Sequence, residues 1–527
     1  MKKNLIILAL AFMAVFAACT KSDFEESYTD PSKVSVSTVE KQFSGVLAAN
    51  RWYVLPDYWN YFVVLRTTVN RYTQAVGWVN SNNQYVPGNA GITDRWNNYY
   101  NFLAQYRELE KIYSAMSADD KADKRIYMIA AAIYFYDHTE KVVTLHGAIP
   151  WTEAGMLSTN GGDYQSSYAK YDNADAIYTK ILDDLKAFST ELNAITIKPA
   201  ILTGFKKQDF VNNGELTLWK KYNNSLRLRI LERVSDVPAF QARVGTEVAA
   251  ILNDPATYPV VANNTENIQI DVTNLSSEIH AKNFRTGLED WNGNLAGKAM
   301  IDHMKANNDP RLRALFEPGA SAGGVYNGLN PLLTEAAQTT LVNGGTIAIY
   351  NRSTLSRNQY FPGVLMTAAE VSFLKAEAYL KANNNAAAKT AYNEGISQSI
   401  KFYYAIRGLS ADNVAGPLTP TSDAEIAAYT ISPGVNWDLA LTTADKLKLI
   451  AIQKWIHFNV VQPVDAWAEL RRFDAPTLSF WVDNANAQTQ PPFRWIYPGS
   501  EQTYNTANYE AVRSADNLTT KIFWDVR

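Results

Sequence analysis

The feature that most constrains the fold is a pattern typical of two consecutive α-helices, at residues 365–400, "LMTAAEVSFLKAEAYLKANNNAAAKTAYNEGISQSI". A first helix is predicted to end near Lys381, where "ANNN" supplies a turn, and a second to begin around Ala386. The residues that would bring the two helices together are Ala378, Ala387, Tyr392 and Gly395. The stretch therefore predicts two consecutive helices joined by a tight connection.

The placement of these small and aromatic residues resembles a tetratricopeptide unit, which is a pair of antiparallel helices. Five further segments have apolar residues at helical spacing. Their predicted buried faces are Trp96, Tyr99, Leu103 and Tyr106; Ile126, Ile129, Ile133 and Tyr136; Ile177, Ile181, Leu185 and Phe188; Trp219, Tyr222, Leu226 and Ile230; and Leu447, Ala451, Trp455 and Phe458. Thr93 or Asp94 is predicted as the N-cap of the first segment, and Gly147 and Pro150 as the stop of the second.

Long irregular stretches rich in Asn, Gly, Pro and Thr separate the helical segments. They cover residues 73–93, 148–170, 191–215, 255–295, 317–362, 405–440 and 476–527. A compact domain rarely carries loops this long unless they have a function. We therefore predict a mainly α fold in which residues 41–527 form one compact unit, a helical scaffold with loops built onto it.

The N-terminus carries an apolar run, residues 5–18, between a short basic start and Cys19, the only cysteine in 527 residues. The run is shorter than the ~20 apolar residues of a spanning helix and is typical of a signal peptide. "FAAC" at 16–19 fits the cleavage box of bacterial lipoproteins, whose cysteine is acylated. We predict a lipoprotein signal peptide at 1–18 and a lipidated, flexible acidic tether at 19–40. A plain signal peptide with a chance cysteine is the alternative.

Composition excludes two classes of protein. The chain has 49 Lys and Arg against 52 Asp and Glu, and loss of Lys2 and Lys3 with the leader makes the mature protein more acidic. This balance argues against nucleic-acid binding, which relies on clustered basic residues. A single cysteine rules out a disulfide framework within the chain.

Motifs for catalysis and for metal binding are weak. "GASAG" at 319–323 matches a nucleophile-elbow pattern, but its flanks favour a flexible loop over a catalytic Ser321. None of the five histidines has a metal-ligand spacing, and we expect His138 and His146 to cap or pack. No phosphate-binding glycine motif is present. We predict no catalytic residue, no metal and no cofactor.

Arg227, Arg229 and Arg233 follow one another along a predicted helix, with Glu232 among them. Such a cluster can hold an anion, but salt bridges on or between helices are the favoured interpretation. "ELRRFDAP" at 469–476 is likewise predicted to be a structural corner.

Taken in order, these segments resemble the SusD/RagB family of nutrient-binding outer-membrane lipoproteins of the Bacteroidetes. The motifs that carry the resemblance are "RIYMIAAAIYFYDHTEKVVTLHGAIPWTEA", "LWKKYNNSLRLRILERV", "NDPRL", "LMTAAEVSFLKAEAYL", "QKWIHFNVVQPVDAWAELRRFDAP", "PFRWIYPGSEQTYNTANY" and the terminal "FWD". The acidic cluster after Cys19 also resembles the surface-export signal of such lipoproteins.

The resemblance implies a scaffold of four tetratricopeptide-like helix pairs with a loop-rich, mixed half packed on it. It implies a partner, a SusC-like TonB-dependent transporter, over which the lipoprotein sits as a lid at the cell exterior. Family members bind glycans or peptides and are not enzymes.

Two aromatic-polar loops are the predicted ligand-binding regions. Aromatic rings stack on the apolar faces of sugars, and Asn or Asp side chains bond their hydroxyls. The candidate residues are Trp78, Asn80, Tyr85, Phe284, Asp290 and Trp291. For each residue the alternative is a side chain that pins its loop to the scaffold.

The leading hypothesis is a non-enzymatic binding protein for an oligosaccharide or, less favoured, a peptide. A surface glycoside hydrolase on a helical scaffold is the alternative, and it requires two facing carboxylates. A purely structural adhesin is a third possibility and would lack an aromatic pocket.

Overall fold

A computed structural model describes residues 37–527 of the chain. The predicted signal peptide, Cys19 and most of the tether lie outside the described residues. Helices dominate the described part, and its strands form three small antiparallel sheets. Within the same part, no helix combines the length and the apolar character needed to cross a membrane.

The helices are numbered here in chain order. The first ten are α1 Val39–Ala49, α2 Val69–Tyr72, α3 Asn89–Ser114, α4 Ala118–Asp123, α5 Arg125–His146, α6 Ala174–Ala194, α7 Pro199–Gln208, α8 Leu216–Arg233, α9 Gln241–Asn253 and α10 Phe284–Glu289. The others are α11 Lys298–Ala306, α12 Arg311–Leu315, α13 Glu335–Asn343, α14 Ala368–Lys381, α15 Asn385–Leu409, α16 Asp423–Thr430, α17 Thr443–Phe458, α18 Pro463–Phe473, α19 Gly499–Tyr504 and α20 Thr506–Tyr509. A π-helix, Trp59–Leu65, lies between α1 and α2.

The strands are short, and each pairs with one partner. They are β1 Ile149–Pro150, β2 Tyr171–Asp172, β3 Ile268–Ile270, β4 Phe316–Glu317, β5 Ile349–Tyr350 and β6 Gly363–Met366. β1 pairs with β2, β3 with β6 and β4 with β5, all antiparallel. These sheets fasten the irregular segments to the helical body.

Packed helix pairs form the scaffold, and they include α3 with α5, α6 with α8, α14 with α15, and α17 with α18; α1 also packs on α3. The predicted turn after Lys381 is confirmed, because α14 ends there and α15 begins at Asn385. Gly395 lets the pair approach closely, since a Cβ at this position would lie 2.5 Å from the Phe373 ring. The predicted helical-repeat scaffold is therefore confirmed.

The predicted apolar faces are buried in the five other helical segments as well. The N-cap prediction for α3 is wrong by about one and a half turns, because the helix begins at Asn89 with Gly88 in extended conformation before it. Several helices lie wholly within stretches predicted to be irregular, and the longest of them are α7, α13 and α16. Each of these buries only one or two side chains, so no apolar period marks it in the sequence.

The arginine-rich face of α8 is an inter-helix ion network, as predicted. Arg229 pairs with Asp137 of α5 at 2.9 Å and with Glu370 of α14 at 2.5 Å. Arg227 pairs with Glu247 of α9 at 2.7 Å. All of these side chains are buried, so the network connects the scaffold helices through their interiors.

Two predictions about motifs agree with the structure. His138 and His146 pack among aromatic rings, and burial lowers the pKa of both well below the ordinary histidine value. Ser321 lies in a turn, without the strand-to-helix geometry of a nucleophile elbow.

Candidate ligand-binding cleft

The two loops that the sequence predicts as binding regions lie side by side. Gly77 N donates to the Leu295 carbonyl at 2.7 Å, and Val76 forms an antiparallel bridge with Ala296. Gly297 permits this approach, because a Cβ there would lie 2.3 Å from the Gln74 carbonyl oxygen. Backbone pairing therefore holds the two loops together.

The π-helix lies beneath these loops. Arg66 N donates to the Tyr61 carbonyl at 2.9 Å, an i→i−5 bond that widens the helix relative to an α-helix. α10 packs closely on it, because Gly287 has no side chain: a Cβ there would lie 3.0 Å from Tyr61 Cβ. Short π-helical segments are frequent at functional sites.

A row of stacked side chains follows the π-helix toward Trp78. Tyr58 and Phe62 stack with ring centroids 4.9 Å apart at an interplanar angle of 13°. The Arg66 guanidinium lies 3.9 Å from the Phe62 ring centroid and 5.4 Å from that of Trp78. We call Tyr58, Phe62, Arg66 and Trp78 the aromatic ladder. Its members are half-buried, so each side chain keeps part of its surface in solvent.

An open cleft of about 620 Å³ adjoins the aromatic ladder at Tyr58. We call it the outer cleft. It combines aromatic rings with side-chain amides, and its lining includes Trp52, Tyr53, Tyr58, Trp59, Asn97, Asn98, Asn101 and Asn283. Trp59 is 54% exposed, which leaves its ring free to stack against a ligand.

Two carboxylates also line the outer cleft. Asp57 accepts from the Trp59 backbone N at 3.1 Å and from Asn283 Nδ2 at 3.0 Å. Asp94 accepts from the Tyr53 hydroxyl. Burial is the main cause that raises the pKa of Tyr53, so this phenol stays protonated and donates. Within residues 37–527, no group of three or more His, Cys, Asp or Glu side chains is placed to hold a metal ion.

Three of the sequence-predicted residues lie at the aromatic ladder. Trp78 is its last member, and Arg71 lies 3.6 Å from the Trp78 ring centroid. Burial lowers the pKa of Arg66, while the nearby Tyr58 and Asp290 partly offset that shift. Trp291 follows Asp290, is 83% exposed and adopts φ 57° and ψ 36°. Trp78, Asp290 and Trp291 thus share one surface region.

The other three predicted residues are buried. Asn80 Nδ2 donates to the carbonyls of Pro331 and Leu333, and the Tyr85 hydroxyl donates to that of Trp481. Phe284 is fully buried, with its ring centroid 4.7 Å from that of Tyr61. In this structure these side chains hold the loops in place, so a ligand would reach them only after the loops open.

Sequence reasoning missed the residues of the outer cleft. Asn97, Asn98 and Asn101 belong to α3, on the side away from its apolar face. Trp59 belongs to a segment without a regular period. The asparagine-rich segment "RWNNYYN" is the one sequence feature that could have indicated this cleft. It is equally typical of a solvent-exposed helix face.

The fold and the cleft define a class: a helical-repeat protein with an open, aromatic-lined cleft on its surface. The family model for SusD-like proteins, described as "Starch-binding associating with outer membrane", matches residues 55–498. The chain therefore belongs to the SusD-like family. No curated protein matches the chain.

Solved structures with the same fold cover nearly the whole chain. A chitin-binding protein matches with a TM-score of 0.73 and 22% identity, over 92% of this chain and 100% of its own. A chitin-binding SusD homolog from Flavobacterium johnsoniae has a TM-score of 0.69 and 21% identity, over 92% and 99%. A SusD homolog from Bacteroides fragilis has a TM-score of 0.72 and 18% identity, over 93% and 100%.

Proposed function

We propose that this protein is a non-enzymatic binding protein that captures an oligosaccharide in the outer cleft and along the aromatic ladder. The observation that carries the proposal is the combination of the exposed Trp59 ring with several side-chain amides in one open cleft. Rings such as Trp59 match the apolar faces of sugars, and amides such as Asn97 match their hydroxyls. Trp78, Asp290 and Trp291 extend this surface.

The ligand class follows from the same chemistry. Two solved relatives are chitin-binding proteins, and the family description names starch. Both ligands are polymers of pyranose rings, which suit a row of stacked aromatic side chains. A peptide is the second candidate, because backbone amides and aromatic side chains would also bind such a surface.

The binding test is calorimetry with starch oligosaccharides, chitin oligosaccharides and short peptides. We expect Trp59→Ala and Trp78→Ala each to weaken oligosaccharide binding about fivefold, since one aromatic stacking contact contributes about 1 kcal/mol. Trp291→Ala should weaken it as well. Tyr164→Ala is the matched control, because Tyr164 is a 70% exposed aromatic residue outside the cleft. Unchanged affinity in Trp59→Ala and Trp78→Ala would show that the site is assigned wrongly.

A glycoside hydrolase is the second candidate, because Asp57 and Asp94 both line the outer cleft. Glycosidases use a carboxylate pair in this way. We expect no product on incubation with the same oligosaccharides, judged by chromatography. Product release that disappears in the double variant Asp57→Asn, Asp94→Asn would establish the hydrolase instead.

For delivery, we propose that a lipid on Cys19 holds the protein at the outer membrane, facing the cell exterior. There it would act as a lid on a SusC-like TonB-dependent transporter. The family description places such proteins at the outer membrane, which supports this location.

A further inference from the structure

A second, smaller cavity lies inward of the outer cleft. It has a volume of about 60 Å³ and shares Tyr53 and Asn60 with the outer cleft. We call it the inner cavity. Arg95, Lys141, Asp465 and Trp495 also line it. A volume of this size accommodates a few water molecules or one small polar group.

Arg95 is the unusual member of this lining. Its side chain is 4% exposed, and Nη1 has no hydrogen-bond partner within residues 37–527. The Tyr53 ring covers it, with the centroid 4.3 Å from the guanidinium carbon. The adjacent carboxylate, Asp94, accepts from the Tyr53 hydroxyl. Burial lowers the pKa of Arg95 and the nearby Asp94 partly offsets that shift, but no ion pair joins Arg95 to a carboxylate within residues 37–527. A buried guanidinium without a direct ion-pair partner is unfavourable, so this position suits an anion.

The rest of the lining contains a paired cation, a carboxylate and one further free donor. Lys141 already pairs with Asp137 at 2.5 Å and lies 3.8 Å from Asp465. Among the described residues, Arg95 is therefore the one cation of this lining that has no ion-pair partner. Trp495 Nε1 is buried and, among the described residues, has no acceptor, so it is a further free donor. Asp465 Oδ2 also lacks a hydrogen-bond partner there, which disfavours a doubly charged anion.

We propose that the inner cavity binds one carboxylate group, paired with Arg95 and hydrogen-bonded by Trp495 Nε1. Two sources share this chemistry. One is a free small carboxylate, such as formate or acetate. The other is an acidic sugar of the ligand in the outer cleft, reaching inward between Tyr53 and Asn60. Only the second source rests on the proposed function.

The first test is thermal unfolding of the mature chain in increasing sodium formate, compared with a parallel series in sodium chloride at the same ionic strength. We expect a saturating rise in Tm of about 2 °C for the unchanged protein, because an anion that binds only the folded state stabilises it. Arg95→Met should show no such rise. Without formate this variant should be at least as stable as the parent, because it removes an unpaired buried charge.

Arg471→Met is the matched control. Arg471 is also buried, but it donates to the carbonyls of Trp467, Thr144 and Phe493. Its replacement should lower Tm and leave the response to formate intact. An equal formate response in the parent and in Arg95→Met would overturn the proposal, as would no response in the parent.

The second test separates the two sources. Calorimetry compares a uronate-bearing oligosaccharide with a neutral one of equal length. If the ligand supplies the carboxylate, the acidic sugar binds at least tenfold tighter, Arg95→Met abolishes the difference, and formate competes. If a free anion occupies the site, both sugars bind alike and the Tm response remains. Absence of all sugar binding would reject the proposed function, while the formate response would still support the anion site.

Discussion

Trp291 is a large apolar residue in a conformation that suits glycine. Its φ of 57° lies in the left-handed region, and 83% of the residue is exposed. The left-handed conformation disfavours a residue with a Cβ by roughly 1–2 kcal/mol. Because the Trp291 side chain is exposed, it gains little burial energy to offset this cost. Strain of this kind is common at ligand-binding positions.

We therefore predict that Trp291→Gly stabilises the fold by about 1 kcal/mol while it weakens oligosaccharide binding. Glycine adopts the left-handed conformation without strain, and little buried surface is lost. Urea unfolding and calorimetry measure the two effects separately. A loss of stability would mean that the indole packs on its surroundings in solution.

His457 is a buried histidine of α17. Nε2 lies 2.8 Å from Thr367 Oγ1 and Nδ1 lies 3.0 Å from Ser399 Oγ. Burial, with a smaller contribution from Arg311, lowers the pKa of His457 to about 3. The unfolded chain takes up a proton near pH 6.5, so protonation favours unfolding. Stability is complete above pH 6.5 and is lost as the pH falls toward 3.

We predict that His457→Gln reduces the loss of stability between pH 7 and pH 5 by about 2 kcal/mol. Glutamine can still bond both hydroxyls but takes up no proton. Urea unfolding at the two pH values gives the measurement, with the parent protein as reference. Parallel pH dependence in the two proteins would refute a neutral, buried His457.

At the scale of elements, a buried cluster joins α14, α17 and α18. Glu377 accepts from Arg472 Nη2 at 2.7 Å and from Lys454 at 3.2 Å. Burial raises the pKa of Glu377, but Arg472, Lys381 and Lys454 outweigh it and hold that pKa well below its usual value. The carboxylate is therefore charged and neutralises cations of two other helices.

We predict that Glu377→Gln destabilises the fold by about 3–5 kcal/mol, because it leaves buried cations without their counter-charge. Asp438→Asn is the control, since Asp438 forms an exposed pair with Lys389 at 2.6 Å. Exposed pairs contribute less than about 1 kcal/mol. Urea unfolding compares the two variants, and similar small losses in both would show that water reaches the cluster.

At the scale of the whole molecule, the proposed lid role requires an anchor and a partner. We predict that the native protein carries acyl chains on Cys19 and co-purifies with a large TonB-dependent transporter from detergent-solubilised outer membranes. Cys19→Ser should release the protein from the membrane fraction, because acylation needs the thiol. Mass spectrometry of the purified protein, and of any partner, checks both statements. An unacylated thiol would contradict the anchor, and isolation without a transporter would contradict the lid.

The helical scaffold could be predicted because its signal is local. Trp96, Tyr99 and Leu103 repeat at the helical period within two turns, and the same holds for the helix pair that turns after Lys381. The start of α3 could not be predicted, since Gly88 competes with two good capping residues, Thr93 and Asp94, further along. Short helices such as α13 could not be predicted, because packing against the scaffold stabilises them and no repeating apolar pattern marks them in the sequence.

The candidate site was only partly predictable. The loop sequences pointed to Trp78, Asp290 and Trp291, which lie together at the aromatic ladder. Phe284, which belongs to the same pattern, is buried. The residue type indicates that an aromatic side chain in a loop could bind a ligand. It does not indicate whether that side chain faces solvent or the core. The exposure of such a side chain depends on which segments, often distant in sequence, pack against it.

By itself, the amino-acid sequence determined the helical repeat and the family, because helical period and ordered motifs are properties of contiguous residues. Only the tertiary structure decided that Trp59 and Asn97 form a cleft and that Arg95 is buried with no acceptor for Nη1 among residues 37–527. Exposure and charge compensation depend on which distant segments pack together. Two arginines of identical type, Arg95 and Arg471, therefore differ in their hydrogen bonding only once the chain is folded.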